Sequence, residues 1–140
     1  MSKTYIPAQL RRIVVERSNG CCEYCLRPEL FSFSSHEIDH VIAEKHGGQT
    51  TEGNLAIACK LCNTQKGSDI ASIDPKTDAI TPLYNPRRDR WQEHFQCQNA
   101  ELIPLTDRAR TTIRLLQLNR HEILKERPLW FASGLISLPN

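Results

Sequence analysis

The chain reads Cys22-Glu-Tyr-Cys25, then Ile38-Asp39-His40-Val41-Ile42, then Cys59-Lys-Leu-Cys62-Asn63. Two Cys-x-x-Cys turns supply four thiolates, the number and kind of ligands that a tetrahedral structural zinc takes. Buried thiols or redox chemistry are the alternatives, and two matched pairs in one short chain favour zinc. A zinc site would join the ends of the intervening segment and hold it as a closed loop. The polar residues of that loop, and Asn63 directly after the second pair, are then the first candidates for chemistry. Four thiolates leave zinc no open position, so this ion is expected to fold the chain rather than to catalyse. Cys21 competes with Cys22 at a looser spacing from Cys25. Cys97 is left over as a small apolar residue.

At 140 residues with 39% hydrophobic content, the chain suits one domain or a small domain with an extension. The expected division is a zinc-stapled core with a preceding helix over residues 1–70, and an extension over 71–140 packing on it. A metal cross-link helps so modest a core. No apolar run is long enough to cross a bilayer, and Met1 to Pro7 lacks the apolar stretch of a secretory signal. An intracellular, cytoplasmic location is therefore expected, where thiols stay reduced. The net charge of +2 does not by itself argue for nucleic acid. Its distribution says more: Arg87, Arg88 and Arg90 cluster, and arginine is the better bidentate phosphate ligand. Surface ion pairs with Asp89, Glu93 and Asp107 are the equal alternative.

Pro7 and the apolar Leu10, Ile13 and Val14 predict a helix to about Ser18, stopped by Asn19-Gly20, with Arg11, Arg12 and Arg17 on its exposed side. Alternation from Glu37 to Ala43 predicts a strand, Gly47-Gly48 a turn, and Leu55 to Ala58 a second strand. The second cysteine pair opens a short helix ending near Gly67. Residues 68–88, with Pro75, Pro82 and Pro86, read as mostly irregular. A helical turn at Trp91–Phe95 leads to a hairpin of Phe95–Cys97 with Leu102–Ile103. Thr106 caps a helix from Asp107 to about Leu118. Asn119 with Glu122 forms a capping box for a last helix, which Pro128 should stop early.

Within the enclosed segment, His40 is a candidate general base and Asp39 a ligand for a hard divalent cation. Adjacent strand residues point to opposite faces, so the two converge only where the strand bends or ends. Asn63, on the first turn of the helix, offers a neutral oxygen. One carboxylate and one amide oxygen leave most of a cation's positions to water and phosphate oxygens, as magnesium prefers. Each residue alone is weak evidence; the combination is specific.

The order Cys-x-x-Cys, Asp39-His40-Val41-Ile42, Gly47-Gly48, Asn54-Leu55, Cys-x-x-Cys-Asn63-x-x-Lys66-Gly67 resembles the HNH endonuclease motif in its four-cysteine zinc form. The resemblance implies an α+β fold with a ββα-metal (HNH, His-Me finger) core stapled by Cys22, Cys25, Cys59 and Cys62. It implies a metal-dependent endonuclease hydrolysing DNA phosphodiester bonds, with His40 as general base. Asp39 and Asn63 would hold the catalytic Mg2+ or Mn2+, and Asn54 would brace the hairpin loop and help orient His40. The partner is DNA, most simply double-stranded. A single site cuts one strand, so a homodimer is one route to a double-strand cut. The origin implied is prokaryotic or phage. Two alternatives stay open: a non-catalytic zinc-ribbon module binding nucleic acid, and an HNH nuclease acting on RNA.

The flanks resemble short bacterial HNH proteins too, through Leu83-Tyr-Asn-Pro-Arg87, Trp91-x-x-His94-Phe95, and Arg110-x-Thr112-Ile113 leading to Leu116-x-Leu118-Asn119-Arg120. Ala109 stands where glycine is expected. Lys60 and Lys66 are candidate phosphate contacts beside the catalytic helix, with Arg87, Arg88 and Arg90. His94 is expected to pack beside Trp91 with a hydrogen bond, His36 to face solvent, and His46 to lie exposed in the hairpin loop or on DNA. Trp130-Phe131 is expected in the core.

Overall fold

The computed structural model describes residues 4–139. Its elements are α1 (Ala8–Arg17), β1 (Glu37–His40), β2 (Leu55–Ala58), α2 (Lys60–Lys66), β3 (Ala71–Ile73), β4 (Ile80–Pro82), α3 (Trp91–His94), β5 (Phe95–Gln98), β6 (Glu101–Pro104), α4 (Asp107–Leu116) and α5 (His121–Ala132). The three antiparallel hairpins do not join into one sheet; they are β1–β2, β3–β4 and β5–β6. The fold is α+β, with a ββα unit formed by β1, β2 and α2. No helix among the described residues is long and apolar enough to cross a membrane.

The ββα unit follows from alternation along β2. Its partners in register are His40 with Leu55, Asp39 with Ala56, Ile38 with Ile57 and Glu37 with Ala58. Leu55 and Ile57 form a small core with Val14 of α1, against which Ile38 and Leu10 pack. The opposite face carries the two alanines, whose small side chains leave room for α2. All four β2 residues are buried because both faces are covered. Asn19 and Gly20 end α1 with positive φ, and the Arg17 guanidinium donates to the Leu55 carbonyl, tying α1 to β2.

The main core takes residues from both halves of the chain. Tyr24, Ala58 and the four paired cysteines pack with Trp91, Phe95, Leu102, Leu116, Ile123 and Trp130. Arg127 is its polar tie. Fully buried, its guanidinium donates to the carbonyls of Cys25, Ala100 and Leu118 and stacks near the Trp130 ring.

Five features depart from the sequence expectation. Residues 71–82 form the β3–β4 hairpin rather than an irregular segment. Its turn is made by Asp74, whose carboxylate accepts from the Lys76 N–H and the Thr77 hydroxyl and, through two bonds, from the Arg110 guanidinium on α4. Strands of three residues are too short to give a periodic signal. Asn119 does not cap α5; the cap residue is Arg120. The Asn119 amide instead pairs with both backbone groups of Leu102 at 2.9 and 2.8 Å, standing in for a further strand beside β6. Pro128 lies inside α5, which runs on to Ala132. An internal proline costs about 3 kcal/mol. Trp130 and Arg127, both fully buried, hold the helix on either side, and one buried large aromatic is worth about 3–5 kcal/mol. His36 is buried rather than solvent-facing: it precedes β1, and its Nε2 lies 2.7 Å from the Arg27 carbonyl. The expected first strand also stops at His40 rather than Ala43.

The Arg110 guanidinium holds the Asp74 carboxyl well below the usual carboxylate range. A depressed folded-state pKa gives stability that is present above the unfolded value of about 3.9 and lost as pH falls through the folded one. Asp74→Asn should therefore lower the Tm at neutral pH. Thermal melts from neutral to strongly acidic pH should show the gap to wild type narrowing only at the acidic end.

Candidate metal centre and active-site cleft

Each Cys-x-x-Cys turn folds its second backbone amide onto its first sulfur. The Cys25 N–H donates to Cys22 Sγ and the Cys62 N–H to Cys59 Sγ, both at 3.4 Å. Cys59 is also the N-cap of α2, so the second turn and the helix share one residue. The first turn is anchored on β2: Glu23 N–H donates to the Ile57 carbonyl, and the Glu23 carboxylate accepts from the Ile57 N–H. These contacts bring the four sulfurs within 4.8 Å of one another, all buried. Zinc–sulfur bonds of about 2.3 Å in a tetrahedron put sulfurs about 3.8 Å apart, and Cys25 Sγ lies 3.7 Å from Cys59 Sγ.

Four thiols this close conflict. Hydrogen bonds from Cys22, Cys25 and Cys62 hold Cys59 far down as a thiolate; burial keeps Cys22 protonated, and the shared hydrogen bonds do the same for Cys62. A zinc ion removes the conflict by accepting all four as thiolates. Arg127 fits that charge state. Burial lowers its pKa, and Cys25 is the first of the groups that raise it again. Cys21 stands outside the cluster, its Sγ directed at the Leu135 and Asn19 carbonyls, and burial pushes its thiol up to about 11. Cys97 is half-buried and also outside. Cys22, not Cys21, is therefore the residue placed to hold a metal with the other three.

A second candidate site is a cleft lined by residues of β1 and α2. Because β1 ends at His40, Asp39 and His40 line the same cleft, together with Glu37 and Asn63. The cleft has a volume of about 720 Å³. Asp39 is 4% exposed; its carboxylate accepts from the Tyr24 hydroxyl at 2.9 Å and from the Lys66 ammonium at 3.2 Å. Burial raises the Asp39 carboxyl, and the charge of Lys66, followed by the Tyr24 hydrogen bond, opposes that rise. Asn63 Nδ2 donates to Glu37 Oε2 at 2.7 Å, which leaves Oδ1 as the free side of the amide. Asp39 and Asn63 thus offer hard oxygen ligands, which fits magnesium or manganese retaining several waters. Among the described residues, the four cysteines are the one group of three or more His, Cys, Asp or Glu side chains spaced to hold a metal.

Asn54 braces the loop from β1 to β2. Its Oδ1 accepts from the Ile42 N–H, and its Nδ2 donates to the carbonyls of Ile42 and Gln49 at 2.9 Å. Gly48 permits this closure, since a Cβ there would fall 1.7 Å from the Ile42 carbonyl oxygen.

The expected phosphate contacts divide. Lys66 is 2% exposed and cannot meet a phosphate; its ammonium is drawn under the strand to Asp39 and the His40 carbonyl. Arg87 pairs with Glu23 and lines a different cleft, beside residues 135–139. Its partner is none of the three acids expected from sequence; Asp89 pairs instead with Arg108. Lys60, Arg88 and Arg90 are exposed but do not line the cleft. Among the described residues, the cations that do line it are Arg11 of α1 and Lys45 of the hairpin loop. Neither carries a motif signal; Arg11 was legible only as an exposed helix position. Tyr24, Glu37 and Glu23 were hidden at variable motif positions. His94 makes the expected hydrogen bond, 2.7 Å from the Thr106 hydroxyl, but its ring packs edge-on to Tyr84 where Trp91 was expected, and His46 is exposed.

The span from Cys22 to Asp69 contains the whole ββα unit and all four clustered cysteines. Residues 22–69 match the model of the HNH endonuclease family. No curated protein and no solved structure matches the chain.

Structural zinc contributes about 10–16 kcal/mol in small zinc domains, as much as the whole stability of a typical domain. Cys59→Ser should therefore lose bound zinc and the cooperative melt together, whereas Cys21→Ser and Cys97→Ser keep one zinc per chain by elemental analysis.

Proposed function

We propose that this protein is a metal-dependent endonuclease that hydrolyses DNA phosphodiester bonds in the Asp39–His40–Asn63 cleft. The observation that carries this reading is the meeting of His40, Asp39 and Asn63 in one open cleft, beside a cysteine cluster that does no chemistry. A binding module needs no such set. The match to a nuclease family over the same residues supports the reading.

The steps assigned to this chain's residues are few. His40 takes a proton from water as the water oxygen attacks phosphorus in line. An electron pair of the water oxygen forms the new P–O bond as the bond to the 3′ oxygen breaks, and that oxygen leaves as an alkoxide that takes a proton from solvent. Lys66 and Tyr24 hold the Asp39 carboxylate in place, and Glu37 turns the Asn63 amide so that its oxygen faces away from Glu37. A divalent ion bound by Asp39 and Asn63 would supply charge stabilisation at the phosphate and the leaving oxygen. Arg11 and Lys45 serve as phosphate contacts at the cleft, and Lys60, Arg88 and Arg90 as outlying ones on a longer duplex.

Supercoiled plasmid should be nicked with magnesium or manganese and left intact with EDTA. General-base help is worth about 10²–10⁴-fold, so His40→Ala should lose at least that lower factor while keeping its zinc and its melt. Equal nicking by wild type and His40→Ala would remove His40 from the mechanism. Cleavage confined to RNA substrates would redirect the reading to a ribonuclease. In the His40→Ala background, Arg11→Ala and Lys45→Ala should each weaken duplex binding and lower the salt slope by about one.

A further inference from the structure

Among the described residues, His40 is held by one ring nitrogen only. Its Nε2 lies 2.9 Å from Thr50 Oγ1 and 3.4 Å from Glu44 Oε1. The Thr50 hydroxyl in turn donates to Glu44 Oε1 at 3.1 Å. A carboxylate is only an acceptor, so the single hydroxyl proton of Thr50 is committed to Glu44. Thr50 Oγ1 can then meet Nε2 only as an acceptor, and Glu44 Oε1, the other neighbour of Nε2, is an acceptor as well. Both contacts require the proton on Nε2. Among the described residues, no hydrogen bond reaches His40 Nδ1. We infer that Thr50 and Glu44 are positioning residues that lock His40 in the Nε2–H tautomer and leave Nδ1 as the nitrogen that accepts the proton from water.

The loop between β1 and β2 is built to deliver this pair. Glu44 opens a short 3-10 turn that ends at Gly47, whose φ of 90° suits glycine. The carbonyl of Gln49, next to Thr50, is held by Asn54 Nδ2. Asn54 therefore acts on His40 at a distance, by fixing the backbone that presents the Thr50 hydroxyl. Glu44 stands four residues after His40 and Thr50 ten, with no motif linking them; only the folded loop brings the three together.

The catalytic half of this inference rests on His40 as the proton acceptor, and the tautomer does not. Zinc-loaded protein labelled with ¹⁵N-histidine, without added magnesium and at mildly alkaline pH, reports the tautomer by long-range ¹H–¹⁵N correlation. His40→Ala identifies the signal. Wild type should show Nε2–H. Thr50→Val leaves Nε2 only the 3.4 Å contact with Glu44, so it should weaken that preference and lower kcat for plasmid nicking by about 10–100-fold with little change in KM, and Thr50→Ser should restore both. Glu44→Ala frees the Thr50 proton to point at Nε2, so Nδ1–H should appear with Thr50 still in place. An Nδ1–H ring in wild type overturns the inference, as does a Thr50→Val variant with unchanged tautomer and kcat. If wild type cuts no DNA, the nuclease reading fails alone, and the comparison of tautomers in wild type, Thr50→Val and Glu44→Ala still decides the lock.

Discussion

Everything in the first half of the molecule depends on four sulfurs meeting at one point. Cys22 and Cys25 lie before β1; Cys59 and Cys62 lie after β2 and within α2. Bringing them within 4.8 Å closes a loop of more than thirty residues and sets the helix against the hairpin. Closing so long a loop costs chain entropy that a four-residue strand pair cannot supply. A metal–thiolate centre can. The amides donated to the sulfurs, and Glu23 clasping Ile57, then transmit that closure to the backbone of β2.

A consequence is that ionic groups are buried next to a weakly built sheet. Asp39 and Lys66 share a nearly dry environment on the face of β1 covered by α2. Such a pair recovers its desolvation cost only when the remaining lone pairs and protons are satisfied. Tyr24 and the His40 carbonyl do this. The alanines of β2 make it possible, since larger side chains at Ala56 or Ala58 would occupy the space that α2 and these polar groups use. The pair holds Asp39 rigid beside the cleft, which suits the ligand role proposed for it.

The second half of the chain is wrapped around the cysteine cluster rather than appended to it. Arg127 reaches from α5 to the Cys25 carbonyl, and from there to the β5–β6 turn and the end of α4. Asn119 ties the α4–α5 junction to β6 through Leu102. Asp74 and Arg110 tie the β3–β4 hairpin to α4. Each is a polar side chain satisfying buried backbone or charge across elements far apart in sequence. That is how a chain with three separate two-stranded sheets holds one main core.

Reading residues in order was enough for the cysteine pairs, the ββα unit, the caps at Asn19-Gly20 and Thr106, and the β5–β6 hairpin. Each is decided by spacing or by chemistry within a few residues. The same reading failed where partners are distant. Asn119 carries a capping-box pattern but is recruited by Leu102, and Pro128 carries a stop signal overridden by the burial of Arg127 and Trp130. Lys66 looks like a phosphate contact until Asp39, twenty-seven positions earlier, draws it under the strand. Asp39, His40 and Asn63 were legible as candidates because motif spacing places them. What surrounds them was decided only by the tertiary structure: Tyr24 and Lys66 on Asp39, Glu37 on Asn63, Thr50 and Glu44 on His40, Arg11 and Lys45 at the rim. Spacing along a chain determines which side chains a local turn can aim at one point. The partners that hold those side chains in place come from other segments, and the fold alone sets their distance.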